Sequence, residues 1–333
     1  MRMTVLASGS KGNSAVISSA RTRVLVDAGL SCRELCKRMA VAGEDPTALD
    51  AILITHEHQD HVAGLGVLAR KLGIPVYFTE STHRAWLRMV TPRRTLSYAE
   101  WLDQMQRERE ERANAAATAA VATHTAEPGI CDSMSAAVEA ASETETLEDP
   151  DEAESQQQSR AKPDPAFLPS VEYFHSGRQF SIGDIEITPF TIPHDAADPC
   201  GFVFAAEGVR MALATDLGYM PPNVKAALRR IDVLLLESNH DLEMLKDGPY
   251  PWSVKQRVLS RVGHLSNMAT AEFLEQDYDG TASFIVLGHL SESNNAPELA
   301  RLAAEQALAG RPTLLGNRIL LAEQAAPMEP ICL

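Results

Sequence analysis

The chain has 333 residues, 45% of them hydrophobic, enough for one substantial core or two modest ones. No stretch approaches the roughly 18 consecutive apolar residues of a membrane span. Five cysteines (Cys32, Cys36, Cys131, Cys200 and Cys332) form no CxxC pair and are odd in number, which argues against a structural zinc or a disulfide framework.

The net charge of −15 would argue against a nucleic-acid partner if it were evenly spread. It is not: Glu100 to Pro165 holds 16 acidic and 5 basic residues, a balance of −11, and the remainder is nearly neutral at −4. The opening MRMTVLASGSKGNSAVI has only a short apolar patch and does not read as a signal peptide, so a cytoplasmic protein with no membrane partner is expected.

In chain order, MTVLAS, SAVISS and TRVLVDAG predict short strands split by Gly, Ser and Asn turns. CRELCKRMAVAG predicts a helix with a glycine stop, with Cys32 and Cys36 as reduced thiols on one face. LDAILIT predicts a buried strand, HVAGLGVLARKLG a helix and PVYFT a strand. From about residue 104 to 166 the composition changes. MQREREERANAAATAAVATHTAEPG is rich in Ala and charge, and ASETETLEDPDEAESQQQSRAKPDP is acidic and Pro-punctuated. Such a segment buries too little surface to offset its ordering entropy. It is expected to be a low-complexity acidic insertion, disordered or loosely helical, dividing one domain into a first part at 1–103 and a second at 167–333. His124 and Cys131 inside it are expected to have no chemical role.

Beyond it, QFSIGDIEITPFTIPH and GFVFAAEGVRMALATDLG are strand-rich and PNVKAALRR predicts a helix. IDVLLLESNH and SFIVLGHLS predict buried strands, and APELARLAAEQALAG a last helix. Strands alternating with helices predict an α/β fold.

The stretch ILITHEHQDHVAGL, residues 52–65, crowds His56, His58, Asp60 and His61 between a buried strand and a helix. Neutral imidazole and carboxylate are ligands for borderline divalent metals such as zinc. Residues two apart on an extended backbone share one side, so His56 and His58 can hold one ion while Asp60 and His61 serve a second beside it. The spacing is not the helical HExxH arrangement, and in open α/β sheets strand ends are where sites collect. His194 in TIPHDAADP, Asp216 in MALATDLG and His289 in FIVLGHLS each cap an apolar strand, and are candidates to complete a two-metal site. Asp27 in RVLVDAG repeats the theme as a carboxylate that holds a ligand histidine or the loop backbone. His264 competes with His289 as last ligand; His289 is preferred because it follows the more apolar strand.

A strand-terminal Asp, T-H-x-H-x-D-H, and then a separate His, Asp and His resemble the metallo-β-lactamase superfamily. The resemblance implies an αββα sandwich with the metal site at one end. It also implies that His56, His58 and His194 hold one zinc and that Asp60, His61 and His289 hold the other, with Asp216 bridging. LASGSKGNS, PHDAADPCGF, LLLESNHDLEML, GHLSN and LGHLSESNNAPELA resemble its YycJ (WalJ) branch more narrowly. That implies a metal-dependent DNA exonuclease acting from the 5′ end. The 72 residues between Asp216 and His289, expected to hold two helices and two strands, leave no room for a further domain.

The expected chemistry is phosphodiester hydrolysis by a metal-bound hydroxide, with zinc or manganese as the ion and Asp60 orienting the nucleophile. His264 is the candidate proton donor to the leaving oxygen, with His240 second. Asn13, in a Gly-Ser loop that lines the site or is a plain hairpin turn, is a candidate substrate contact. So is Asn294, although ESNNAPELA also reads as a helix cap. His83 and His175 have no ligand context. No Lys/Arg stripe accompanies the motifs, aromatics are 5%, and no protein partner is evident. The alternative is a small-molecule hydrolase of the same fold, acting on a thioester, a lactone or a cyclic phosphodiester.

Overall fold

Apolar side chains alternate between two faces along the central strands, and that alternation builds the layers. In the computed structural model, residues 1–91, 102–103, 105–107, 164–310 and 316–333 are described. The strands are β1 (Arg2–Ala7), β2 (Ser14–Ser18), β3 (Arg23–Val26), β4 (Ala51–Leu53), β5 (Pro75–Phe78), β6 (Ser170–Tyr173), β7 (Phe180–Ile182), β8 (Ile185–Thr191), β9 (Cys200–Ala206), β10 (Val209–Ala214), β11 (Val233–Glu237), β12 (Phe284–Gly288), β13 (Arg318–Leu321) and β14 (Ile331–Cys332). The helices are α1 (Cys32–Val41), α2 (Gln59–Val62), α3 (Leu65–Leu72), α4 (Glu80–Val90), α5 (Pro222–Ala227), α6 (Leu242–Asp247), α7 (Trp252–Val258), α8 (Asn267–Gln276) and α9 (Pro297–Ala309).

One sheet runs β14-β1-β2-β3-β4-β5-β6 and the other β13-β12-β11-β10-β9-β8-β7. Val24, Val26, Leu53, Phe202, Phe204, Leu213 and Leu235 face inward and pack the two sheets together. Their neighbours in sequence face outward. Leu25, Ile52 and Ile54 meet Leu35, Leu65, Leu68 and Trp86 of the helices on one side. Val203, Leu234 and Leu287 meet Val224, Phe273 and Ala300 on the other. This is the αββα sandwich that the resemblance implied.

Strand direction decides where the ends fall. β3 and β4 are parallel, and β1 runs with β3 because each pairs antiparallel with β2. In the other sheet β10, β11 and β12 are parallel, and β8 runs with β10 through antiparallel β9. The two sets of C-terminal ends meet: Cys200 N donates to Thr55 O at 3.1 Å, and His289 N donates to Ser8 Oγ at 2.7 Å.

The expected single helix after His61 is two pieces, α2 and α3. It breaks at Gly64, where a Cβ would stand 2.1 Å from Leu30 O, so the chain presses backbone on backbone there. Between Asp216 and His289 lie four helices, α5 to α8, rather than two. α4, β6, β13 and β14 were not foreseen. Met1–Thr91 and Pro163–Leu333 form one compact unit and Pro92–Lys162 a second. The insertion reading of 104–166 lies, over residues 108–163, outside the described residues. Residues 164–166 belong to a turn whose backbone carbonyls at Asp164 and Pro165 receive Arg70.

Candidate metal centre

Every candidate ligand leaves the end of a strand. β4 delivers His56 and His58, and α2 then carries Asp60 and His61. Gly29 makes room for this turn: a Cβ there would sit 1.7 Å from Asp60 O. β8 leads to His194, β10 to Asp216 and β12 to His289. All seven candidates converge. The rings of His56 and His58 are 4.6 Å apart, those of His56 and His61 4.0 Å, and His194 stands 5.0 Å from both His56 and His58. Asp216 Oδ2 is 3.4 Å from His61 Nε2 and its Oδ1 2.9 Å from His289 Nδ1, so this carboxylate stands between the groups. His56, His58 and His194 form one set of donor atoms within 4.8 Å of one another; Asp216, Glu237, His264 and His289 form another.

Metal ions fit this arrangement. Among the described residues, His56 Nε2 and Asp216 Oδ2 are buried and make no hydrogen bond. An unsatisfied buried donor or acceptor costs about 1–3 kcal/mol, and here both belong to sets of convergent metal-type donors. The charges agree. Burial, helped by His61, pushes His56 well below the usual imidazole range and so keeps its lone pair available. Burial opposes the charge of Asp216, but His289 and His61 outweigh it and hold the carboxyl well below the usual range. Burial likewise opposes a charge on His289, yet Asp216 and Glu237 raise it to about 9. His61 is raised in the same way by Asp216, Asp27 and Asp60.

Asp27 does not enter the cluster. Its Oδ2 accepts from His61 Nδ1 and from Thr55 Oγ1, each at 2.8 Å, and its Oδ1 from Thr55 N at 2.9 Å. It therefore holds both the ring and the loop. Asp27, Asp216 and His289 have φ of 59°, 64° and 55°, left-handed conformations that L residues adopt at a cost. Each turns its side chain sharply off a strand end.

A cavity of about 160 Å³ opens on the cluster, lined by Ser10, His58, Asp60, His194, Asp195, Asp216, Val254, Arg257, Val258, Gly263, His264 and His289. His264 Nδ1 donates to Glu237 Oε1 at 2.7 Å, and Glu237 Oε2 is fixed by Leu217 N at 2.8 Å. Sequence reasoning missed Glu237, although it caps β11 as Asp216 and His289 cap their strands. His240 does not line the cavity. It is buried, both ring nitrogens lack a partner among the described residues, and burial pushes it down to about 4.

Two substrate expectations need correcting. Asn13 is buried, with Oδ1 accepting from Gly9 N at 2.8 Å and Nδ2 donating to Gly9 O at 3.0 Å and to Asp60 Oδ2 at 3.1 Å. Its amide is spent on orienting Asp60. Asn294 is also buried; its Nδ2 donates to Ser291 Oγ and its carbonyl receives Asp241 N, so it braces loops away from the cavity. The Gly-Ser loop donates its N–H groups at Gly9 and Gly12 within the loop, at Lys11 to Gln324 and at Asn13 to Asp60 O, and offers no phosphate cradle from them, though Ser10 reaches the cavity. His83 shares a hydrogen bond with Tyr173 Oη, 2.8 Å away, and is not among the clustered ligands.

The chain has relatives among known proteins. The family model described as the metallo-beta-lactamase superfamily matches residues 8–254. The chain is 32% identical over 308 residues to the exodeoxyribonuclease WalJ of Streptococcus pneumoniae serotype 2, covering 92% of this chain and 88% of that protein. It is 31% identical over 308 residues to the exodeoxyribonuclease YycJ of Bacillus anthracis, covering 92% and 89%. Among solved structures, the metallo-beta-lactamase fold protein YhfI from Bacillus subtilis superposes with a TM-score of 0.57 at 14% identity, covering 98% of this chain and 99% of that chain.

Proposed function

The chain belongs to the metallo-β-lactamase superfamily, and from that premise we propose that it is a metal-dependent exodeoxyribonuclease that removes nucleotides from the 5′ end of DNA. The single observation that carries the reading is the convergence of seven His and Asp donors, with buried atoms of His56 and Asp216 among them that make no hydrogen bond. The relatives, at 31 to 32% identity, favour DNA over a thioester, lactone or cyclic phosphodiester as substrate.

His56, His58 and His194 would hold one divalent cation and Asp60, His61 and His289 the other, with Asp216 between them. His289 is preferred to His264 as ligand because its ring stands nearer Asp216, 2.9 Å against 3.9 Å. The nitrogen-rich donor set favours zinc, with manganese the alternative. Bound divalent cations lower the pKa of water from 15.7 to about 7 and offset phosphate charge.

The chain's own residues supply the rest. Asp60, oriented by Asn13, stands at the cavity and can accept a hydrogen bond from the attacking water. As the phosphorus–oxygen bond to the leaving sugar breaks, its oxygen needs a proton. His264 lines the same cavity, and the Glu237 carboxylate, by accepting from Nδ1, leaves Nε2 to deliver that proton. Among the described residues no helix is long and apolar enough to cross a membrane, and the described cysteines are free. Both support the cytoplasm as the proposed location.

The test is a time course on 5′- and 3′-labelled, single- and double-stranded DNA, with and without chelator, beside Asp60→Asn. Chelator-sensitive release of mononucleotides from 5′ ends, lost in Asp60→Asn, is expected. Cleavage that survives chelator, or that proceeds equally in Asp60→Asn, sinks the proposal.

A further inference from the structure

We infer that Arg257 binds a phosphate of the DNA strand other than the one being cut, and so sets where along the strand the cut falls; this rests on the nuclease reading above. Arg257 is the one Lys or Arg among the described residues lining the cavity. It projects from α7 and lines the cavity together with Val254 and Val258, at spacings of three and one along the helix. Residues three or four apart share a helix face, so these three stand together.

The side chain is aimed. Its Nε donates to Asp195 Oδ2 at 2.5 Å, and Asp195 Oδ1 lies 3.5 Å from His194 Nε2. Asp195 directly follows His194 in the chain, so the bond to Asp195 holds the guanidinium beside a proposed metal ligand. With Nε engaged, the two terminal amino groups present the paired donors that match a phosphate. The side chain is 63% exposed even so, so those groups meet solvent or substrate.

The local charge is unusual for this chain. Residues 252–262, WSVKQRVLSRV, hold three cations and no acid, in a protein of net charge −15. Lys255 turns inward to the carbonyl of Lys246 at 2.7 Å. Arg257 and Arg261 remain outward, Arg261 with its guanidinium 4.3 Å above the ring of Tyr219, close after Asp216 in the chain. The two arginines, four residues apart, form a short cationic track in the segment that lines the cavity. An internal phosphodiester and a 5′-terminal phosphate share the chemistry this track recognises.

The experiment compares wild type with Arg257→Gln and Arg257→Lys, all metal-loaded. Substrates are one oligonucleotide with a 5′ phosphate, the same one with a 5′ hydroxyl, and bis(p-nitrophenyl) phosphate, which has no second phosphate. Arg257→Gln is expected to raise KM for DNA about 10- to 100-fold, the size of a charged hydrogen-bond pair. The slope of log KM against log salt should fall by about 0.7 for a single strand. The ratio of DNA to bis(p-nitrophenyl) phosphate cleavage should drop, and Arg257→Lys should restore only part of it. Loss confined to the phosphorylated oligonucleotide assigns the terminal phosphate; equal loss on both assigns an internal one. Unchanged KM and salt slope overturn the inference, as does a proportional fall on both substrate classes, which would make Arg257 a brace for Asp195. If wild type cuts bis(p-nitrophenyl) phosphate but no DNA, the nuclease reading itself is what fails, and this inference falls with it.

Discussion

Asp27 Oδ2 accepts from Nδ1 of His61 at 2.8 Å, which turns the other nitrogen of that ring toward Asp60 and Asp216, 3.5 and 3.4 Å away. A carboxylate behind a ligating imidazole fixes its tautomer and raises its basicity. Asp27→Ala should therefore lower metal affinity about 10- to 100-fold while all seven donors remain in place. Competition against a chromophoric chelator measures it; unchanged affinity would mean that Asp27 serves only the loop at Thr55.

Glu237 presents a second carboxylate–imidazole contact with a different expected consequence. Glu237→Gln keeps the shape but not the charge that holds the proton on His264 Nδ1. A lost general acid costs about 10²- to 10⁴-fold, and the cost grows with the basicity of the leaving group. DNA, which leaves as a sugar alkoxide, should lose that much in kcat; bis(p-nitrophenyl) phosphate, which leaves as a stable phenolate, should lose far less. Equal losses would assign Glu237 to metal holding instead.

Metal uptake should depend on pH in a stated direction. His289 titrates at about 9 in the chain alone because Asp216 and Glu237 overcome its burial, and His61 is raised by Asp216, Asp27 and Asp60. A ligating imidazole must be neutral. Below pH 9 the ions must displace these protons, so apparent affinity should rise with pH up to about 9, by about tenfold per unit for each proton released. Titration calorimetry in buffers of differing ionisation enthalpy at pH 7 should count at least one proton released. None released would remove His289 and His61 from the ligand set.

Replacing residues 104–163 by a short Gly-Ser linker should leave DNA turnover within about twofold, as the low-complexity acidic composition of the segment predicts. The cut stops at 163 because Asp164, Pro165 and Phe167 supply the carbonyls that receive Arg70. A folded but inactive product would show the segment to be part of the catalytic apparatus.

Much of the site could be read from one rule, that a polar ligand placed directly after an apolar strand points to the strand's end. That rule found His194, Asp216 and His289 and should have found Glu237, which follows VLLL in the same way. What it could not supply is the partner of a side chain. Asn13 and Asn294 look like free polar groups in a string of letters, yet the amide of Asn13 is consumed by Gly9 and Asp60 and the Nδ2 of Asn294 by Ser291. Arg257 was invisible for the opposite reason: nothing near it in sequence announces that α7 folds against the His194 loop. In the fold, the alternating central strands were legible, whereas the edge strands β6, β13 and β14 are too short to set a period, and α4, although amphipathic with Trp86, Leu87 and Val90 toward the core, was overlooked.

The three left-handed turns at Asp27, Asp216 and His289 bear on how this protein ages in a genome. Each holds the backbone where Gly or Asn would sit with less strain. Asp27 is also kept by its bonds to Thr55. In a gene copy freed from the need to cut DNA, replacements at Asp216 and His289 would relieve strain, so these two should fade earlier than the buried Val and Leu of the sheets. Their persistence in a sequence is then a mark that selection for catalysis is still at work.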